Sequence, residues 1–462
     1  MDIPRQVIVW FKKPASIFWF FLCLYSLTWG GHYTSGDGAE KVAWGKAILF
    51  HGSANIGTET RPAYSKYGIG QSLLAIVPIA VGHLARQLTD LHLEAPLYTF
   101  IFIANGAWFL YLVGRYLQSL YPPQKFWLLV LILGLGTIWW PYTKLDFSEP
   151  LVLTLIFWGF VLLREGRAVL GILVGSLSIT IRTDAILIFA LLYAWQAWRS
   201  RDFKRIFRLA AGVSPAIVLI FTANYVRFHS IFEKGYTGES FSNPFLIGLY
   251  GILFSAGKSV FLFCPPLILG MLGWQRFRRT PHGRHDAVFF LSVFLVQLVV
   301  YAKWWDWSGD DSWGVRFMIP GVMLLMIPVI EVLDCKLLVL SAATLGILVQ
   351  LPAVLMSGLD FVLLVHEQEL TRKALYVGGQ NRIDFEDVRY NPHYSQLLGQ
   401  WMLIRQRCRL PDNTARPGEE EKTGTRLQYV GKNIQWTGSC RWDFIWCRIW
   451  DKRSGPETRS RN

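Results

Sequence analysis

The chain has 462 residues, of which 52% are hydrophobic and 17% charged, and its mean hydropathy is +0.31. A water-soluble protein of this length rarely has that balance, and several apolar runs approach the roughly 20 residues that a helix needs to cross a bilayer. The net charge of +14 is spread over several loops, which argues against nucleic acid as a partner and favours anionic membrane lipids and a positive-inside topology.

The first apolar run, about residues 14–30, follows Arg5, Lys12 and Lys13, so we expect the amino terminus on the cytoplasmic side. The run has no clear small-residue cleavage site, and we interpret it as a retained anchor rather than a signal peptide. It delivers residues 31–96 to the outside as a first external loop. Within that loop lies a short apolar stretch, residues 68–84, which three glycines and a proline interrupt.

Basic clusters divide the rest of the chain, and placing them all in the cytoplasm pairs the apolar runs between them. The pairing works if 68–84 is re-entrant or interfacial and does not cross. The predicted spans after the first are 97–117, 126–143, 150–163, 168–181, 184–197, 209–226, 260–272, 287–304, 317–332 and 337–356. The sequence therefore predicts an all-α polytopic membrane protein with about 11 transmembrane helices in residues 1–357. A small extracytoplasmic region, 358–462, follows and has a disordered end.

The outer connections of this topology are residues 146–149, 182–184, 228–259 and 306–316, together with the first external loop. In that first loop Asp37 precedes a helical pattern, with Glu40 three residues later. A carboxylate just past the end of a span can take the proton of a hydroxyl acceptor. The same spacing also fits a helix cap with Asp at its first position, and both roles hold if the helix forms the edge of an active site.

Cations occupy the predicted outer ends of four spans. A cation beside hydrocarbon needs a partner, and a lipid-linked phosphate would supply one through charge-assisted hydrogen bonds. For any single cation, snorkelling or a structural ion pair is the alternative, for example Arg182 with Asp184 or Asp146. Four on one face favour an anionic headgroup. The cations predicted to bind the donor phosphate are Lys66, Arg182, Lys258 and Arg316.

Residues 304–316 combine tryptophans with aspartates, a composition that suits a sugar but also an ordinary interfacial aromatic belt. The segment LDFSEP ahead of a span either binds substrate or caps that helix, whose first position is Pro150. The residues predicted to contact sugar or acceptor are Asp146, Glu149, Trp305, Asp306 and Trp313. No metal pattern is assigned, although a divalent ion on the aspartates stays open, and the six cysteines leave a Cys440–Cys447 disulfide open.

Several segments of residues 14–400 carry a family resemblance: SGDGAEKVAWGKAIL, YSKYGIGQSLLAI, LDFSEPL, IRTDAIL, LFSAGKSVFLFCPPLILG and SWGVRFMIP. They resemble the C-type glycosyltransferase (GT-C) superfamily, and more closely the bacterial family 39 relatives of the protein O-mannosyltransferases. The resemblance implies a GT-C-like bundle with a catalytic first external loop and a polyprenyl-phosphate-linked sugar as donor. Asp37 matches the family's acidic base. Many relatives have an Asp–Glu pair there, whereas Gly38 follows Asp37 here, so a second acidic role passes to Glu40.

Together these features predict an inverting membrane glycosyltransferase, a hexosyl- or pentosyltransferase, that needs no metal and takes an unidentified protein, lipid or polysaccharide acceptor. Its site would lie on the extracytoplasmic face of a bacterial cytoplasmic (inner) membrane. The alternative is a transporter or flippase of a lipid-linked glycan, which predicts charges along a path within the spans and two related halves. A third interpretation is a non-catalytic assembly partner that docks through its tail.

Overall fold

A computed structural model describes residues 13–202, 207, 209–233, 235–236, 238–366, 383–409, 426–430, 433–437 and 442–447. Within these residues the elements are helices, apart from one antiparallel pair, β1 (Arg426–Val430) and β2 (Asn433–Thr437). The basic residues Arg5 and Lys12, and the chain end predicted to be disordered, lie outside the described residues. Cys447 is disulfide-bonded, and Cys440, with which the sequence left a disulfide open, also lies outside them.

Connections of different lengths join the helices. In chain order they are α1 (Ala15–Leu27), α2 (Gly36–His51), α3 (Ile69–Thr89), α4 (Glu94–Leu117), α5 (Pro123–Leu135), α6 (Trp139–Tyr142), α7 (Glu149–Arg164), α8 (Ala168–Ile181), α9 (Ile186–Ser200), α10 (Ser214–Phe228), α11 (Phe245–Phe254), α12 (Val260–Phe263), α13 (Leu267–Arg279), α14 (Gly283–Lys303), α15 (Ile319–Leu325), α16 (Lys336–Leu355), α17 (Gly358–His366), α18 (Phe385–Tyr390) and α19 (Gln396–Arg409). Short 3-10 turns lie at Thr183–Ala185, Ala211–Val213, Arg316–Met318, Ile327–Glu331 and Pro392–Tyr394.

Five described helices are long and apolar enough to cross a membrane: α3, α4, α14, α16 and Ala210–Phe228, which includes α10. α1, α5, α8 and α11 are shorter apolar helices. The total of about 11 spans stays a prediction. So does the non-crossing position of residues 68–84, because α3 continues to Thr89 and its 21 residues suffice by length to cross.

Three predicted spans are divided in the structure. Residues 126–143 form α5 and α6, residues 260–272 form α12 and α13, and residues 317–332 form α15 and two 3-10 turns. The divisions fall at glycines or prolines, because proline lacks the N–H that continues a helix. The sequence interpretation also placed 228–259 wholly in an outer loop. The structure adds α11, a ten-residue apolar helix, within that segment, and the outer position of the segment stays a prediction.

α7 and α8 form the close pair that positions the site. They are antiparallel neighbours, and a Cβ on Gly159 of α7 would lie 2.7 Å from the carbonyl oxygen of Gly171 on α8. Small residues of this kind let helices approach closely where lipid rather than water surrounds them. Aromatic packing fixes the other side of α7, where Phe160 stacks on Phe289 of α14 with ring centroids 5.6 Å apart. The start of α7 therefore lies beside the end of α8.

The outer surface of the bundle is apolar. On α3 the exposed side chains recur every three or four residues, a period that puts them on one face: Leu74, Val77, Val81, Leu84 and Leu88. α16 likewise exposes Leu337 and Leu340. Apolar stripes of this length suit contact with lipid acyl chains rather than water.

Candidate active site

The site is built on the first turn of α2. Ser35 is its N-cap, and its hydroxyl oxygen accepts the Gly38 N–H at 2.9 Å. The side chains of Thr34 and Ser35 also donate to Oδ1 of Asp146, at 2.6 and 2.7 Å. Serine is a strong N-cap because its oxygen satisfies an otherwise unpaired backbone N–H. The predicted cap at Asp37 is therefore corrected to Ser35, and the Asp37 carboxylate is left for other contacts.

Asp37 is held between a cation and a phenol. Arg316 Nη1 donates to its Oδ2 at 2.8 Å, and the Tyr67 hydroxyl donates to its Oδ1 at 2.6 Å. Its side chain keeps 20% of its surface exposed. Burial acts to raise the pKa of Asp37, but Arg316 and Lys41 outweigh burial and hold that pKa below its ordinary range. Asp37 is thus an ionised, accessible carboxylate at neutral pH.

A network of arginines and carboxylates lies behind Asp37. Arg316 packs its guanidinium over the Phe147 ring, 4.4 Å from the centroid, and its Nε lies 3.9 Å from Oε1 of Glu149. The same Glu149 oxygen accepts from Arg182 Nη1 at 2.8 Å. Arg182 also donates to both oxygens of Asp184, at 3.0 and 2.9 Å. Glu149 therefore bridges two arginines, one directly after α8 and one in the 3-10 turn before α15.

Lys41 lies one turn after Asp37 on α2 and is 1% exposed. Its Nζ donates to Ser148 Oγ at 2.7 Å and lies 4.5 Å from the centroid of the Tyr67 ring. Burial lowers the pKa of Lys41 to about 8, against the opposing effect of Asp37 and Glu149. The lysine adds a third positive charge on the buried side of Asp37.

Asp146 is fully buried, and burial raises its pKa. Oδ2 of Asp146 has no hydrogen-bond partner among the described residues. The same oxygen lies 2.0 Å from the position that a Cβ on Gly38 would take. Around Asp146 three cationic side chains lie among three acidic ones: Lys41, Arg182 and Arg316 among Asp37, Glu149 and Asp184.

Lys66 lies on the rim of this network and is 34% exposed. Its ammonium pairs with Glu239, and its backbone N–H donates to Glu40 Oε1 at 3.2 Å. Among the predicted cations it is the one that solvent reaches most easily. Glu40, named as a second acid, thus contacts the Lys66 backbone and makes no described hydrogen bond to Asp37.

Lys258 lies outside this network and contacts the loop that leads to Arg316. Its buried ammonium donates to the carbonyl oxygens of Asp310, Ser312 and Gly314, which uses the three protons that a lysine has. The structure therefore brings Asp37, Arg316, Glu149 and Arg182 together and leaves Lys258 holding the loop that leads to Arg316.

The aromatic loop is divided between core and surface. Trp313 is buried, and its Nε1 donates to Gln350 at 3.0 Å. Asp306 is buried as well and accepts from Arg389 at 2.7 Å. Trp305 is 48% exposed, and its Nε1 donates to Glu239 at 3.3 Å. Trp305 is thus the predicted sugar-contacting residue that lies open beside the rim.

Sequence reasoning missed Lys41, Tyr67 and Glu239. Lys41 carried a usable signal, because residues four apart on a helix lie on the same face and Lys41 follows Asp37 by four. Tyr67 and Glu239 reach the site only through tertiary packing. In the described part of the chain no cluster of three or more histidine, cysteine or acidic side chains could hold a metal ion.

No protein-family model and no curated protein matches the sequence. Two crystal structures of ArnT from Cupriavidus metallidurans are similar to the chain at 12% sequence identity. The apo structure has a TM-score of 0.49, with 80% of this chain and 67% of that chain covered. The structure bound to undecaprenyl phosphate has a TM-score of 0.46, with 88% and 71% covered. Likeness at this level assigns no family.

Proposed function

We propose that the chain is a membrane glycosyltransferase that moves a sugar from a polyprenyl-phosphate-linked donor to a hydroxyl acceptor, with inversion. The observation that carries the proposal is Asp37, an accessible carboxylate kept ionised by Arg316 and Lys41 at one end of an apolar helical bundle. The sequence resemblance supports the donor class. The basic connections support a site on the extracytoplasmic face of a bacterial cytoplasmic membrane.

In the proposed reaction the acceptor oxygen attacks the anomeric carbon while Asp37 takes the acceptor proton. The bond between the anomeric carbon and the phosphate oxygen breaks, and its electron pair leaves with the lipid phosphate. A single displacement, in which the acceptor attacks the anomeric carbon from the side opposite the phosphate, inverts the configuration of that carbon. A low pKa does not disable Asp37, because the acceptor hydroxyl becomes strongly acidic once its oxygen bonds to the anomeric carbon.

The leaving phosphate needs cations that are within reach. We assign this role first to Lys66, which is exposed on the rim, and then to Arg316, which already contacts Asp37. Arg182 contributes a positive charge near the site without contacting the phosphate, because it pairs with Glu149, which also contacts Arg316. Trp305 offers an exposed aromatic face for the sugar. Transfer by these groups requires no metal. If EDTA abolishes turnover and manganese or magnesium restores it, metal-independent transfer is contradicted.

The test is sugar transfer in proteoliposomes with a panel of radiolabelled polyprenyl-phosphate sugars and a membrane extract as acceptor. We expect Asp37→Asn to lose about 10²–10⁴-fold in turnover, the usual worth of a general base, with donor binding retained. Glu40→Gln is the matched control, because it neutralises a carboxylate three residues away that contacts the Lys66 backbone. Unchanged transfer by Asp37→Asn removes Asp37 from the chemistry. Movement of a lipid-linked sugar between leaflets without transfer favours the flippase.

A further inference from the structure

A short segment near the carboxyl end, Trp442–Cys447, packs against the chain that leads into the site. Its backbone N–H groups donate to two carbonyl oxygens, Asp443 to Leu355 at 2.9 Å and Ile445 to Trp29 at 2.7 Å. Ile445 also fills the space beside Gly31, where a Cβ would lie 2.5 Å from its Cδ1. The segment therefore covers the connection between α1 and α2, just ahead of the cap that begins the Asp37 helix.

Asp443 joins the two connections that meet at the site. Its carboxylate is 4% exposed, with Oδ2 lying 2.9 Å from Lys144 Nζ and Oδ1 lying 2.8 Å from His32 Nε2. His32 lies three residues before the Ser35 cap, and Lys144 lies two residues before Asp146. One carboxylate thus connects the segment that enters α2 with the segment that enters α7.

Lys144 contacts this segment through its ammonium. Its buried ammonium contacts the Asp443 carboxylate and donates to the carbonyl oxygens of Asp443 and Val354, both at 2.9 Å. A buried ammonium that loses its carboxylate is left uncompensated in a medium of low dielectric constant. It must then move or release its proton, and either change acts on the residues next to it in the chain, which include Asp146.

We propose that Trp442–Cys447 is a C-terminal clasp that sets the position of the Asp37 helix, α2, by holding the connections that lead into α2 and α7. Asp443 is its positioning residue. The proposal rests on the proposed function, because the position of Asp37 matters to turnover only if Asp37 reacts. The Thr34 and Ser35 hydroxyls bond to Asp146 directly, and the clasp fixes the same two connections a second time. Release of the clasp therefore shifts α2 relative to Asp146 without removing any group that touches substrate.

The experiment compares Asp443→Asn with the wild type, using the full chain in proteoliposomes well below its melting temperature. Displacement of a reacting group by about 1 Å costs about 10²-fold in turnover, so we expect kcat to fall on that order with the donor KM unchanged. The double variant Asp443→Asn/Lys144→Met removes both charges and is expected to recover most of the lost kcat. Asp334→Asn is the matched control, because it breaks an ion pair with Lys125 at 2.8 Å whose carboxylate side chain is 78% exposed.

An unchanged kcat in Asp443→Asn overturns the clasp. A loss that only follows the fraction of folded protein also overturns it, because that result assigns Asp443 to stability alone. If the wild type transfers no sugar, the proposed function fails and the positioning role of the clasp fails with it. Melting temperature then tests only the buried Asp443–Lys144 contact on which the clasp was built. That contact predicts that Asp443→Asn and Lys144→Met each lower the melting temperature and that the double variant is more stable than their sum implies. Additive losses contradict it.

Discussion

Gly38→Ala tests how tightly the Asp37 helix is fixed against Asp146. A Cβ at this position would lie 2.0 Å from Oδ2 and 2.3 Å from Cγ of Asp146, well inside the 3.0 Å that real Cβ atoms respect. Asp146 cannot retreat easily. Its Oδ1 holds the Thr34 and Ser35 hydroxyls, and its carbonyl oxygen accepts from Gln71 Nε2 at 2.9 Å. The strain must therefore move α2.

The size of the movement follows from the contact. The separation has to grow from 2.0 Å to at least 3.0 Å, a difference of 1.0 Å between atoms that both belong to the site. Overpacking of this kind costs about 1–3 kcal/mol of stability. A shift of about 1 Å in a reacting group lowers turnover about 10²-fold. We therefore expect Gly38→Ala to lower both the melting temperature and kcat.

Gly36→Ala on the same helix is the control, because a Cβ on Gly36 meets nothing within 4 Å. Where the backbone accepts it, Gly→Ala stabilises by about 0.4–1 kcal/mol through the unfolded chain, so this variant should keep its activity and melt no lower than the wild type. Thermal unfolding and sugar transfer on both variants decide the matter. Gly38→Ala that behaves like Gly36→Ala refutes the close packing of Asp146 on α2.

Three further predictions test the roles of single side chains. Lys258→Met should lower the melting temperature and leave the donor KM unchanged, because Lys258 donates to carbonyl oxygens of the loop that leads to Arg316. A raised donor KM would return Lys258 to the phosphate site. Glu239→Gln should lower the donor KM, because Glu239 forms an ion pair with Lys66 and competes with the donor phosphate for its ammonium. A higher KM in donor titrations would contradict that competition. Transfer should decline as pH rises through about 8, where Lys41 loses its proton, and Lys41→Arg should move that decline to higher pH. If pH–rate profiles show the decline at an unchanged pH in the variant, the decline belongs to another group.

The sequence singled out Asp37 as a candidate, because a carboxylate directly after an apolar run marks an interface and the family resemblance assigns an acidic residue there. The composition alone indicated a membrane protein. The sequence also singled out Arg316 and Glu149, which stand at the ends of apolar runs, and in the structure Arg316 contacts both Asp37 and Glu149. Spacing could not tell which way a cation points. Lys66 and Lys258 occupy similar positions at predicted span ends, yet the first lies on the rim and the second is buried among carbonyl oxygens of the loop that leads to Arg316.

Spacing also could not tell which tryptophans of residues 304–316 are buried and which are exposed. Trp305 and Trp313 lie eight residues apart in one loop, and composition gives them the same sugar-binding potential. Positive φ angles at Gly309, Asp310 and Gly314 turn the chain between and beside them. As a result Trp313 enters the core while Trp305 stays at the surface. A loop that turns through left-handed residues has no fixed period, so periodicity cannot assign its faces.

The charge balance of the site bears on how an anionic donor would be accepted. Each arginine behind Asp37 already contacts a carboxylate, and Lys66 contacts Glu239. A phosphate that arrives at such a site gains little from a new cation and must instead exchange with a carboxylate. Exchange costs least at Lys66 and Glu239, because that pair lies on the rim, where water can solvate the released carboxylate. Breaking the Glu149 bridge would leave an uncompensated charge in the core. The arrangement therefore favours a buried network that stays intact through the reaction and a rim pair that opens for the donor.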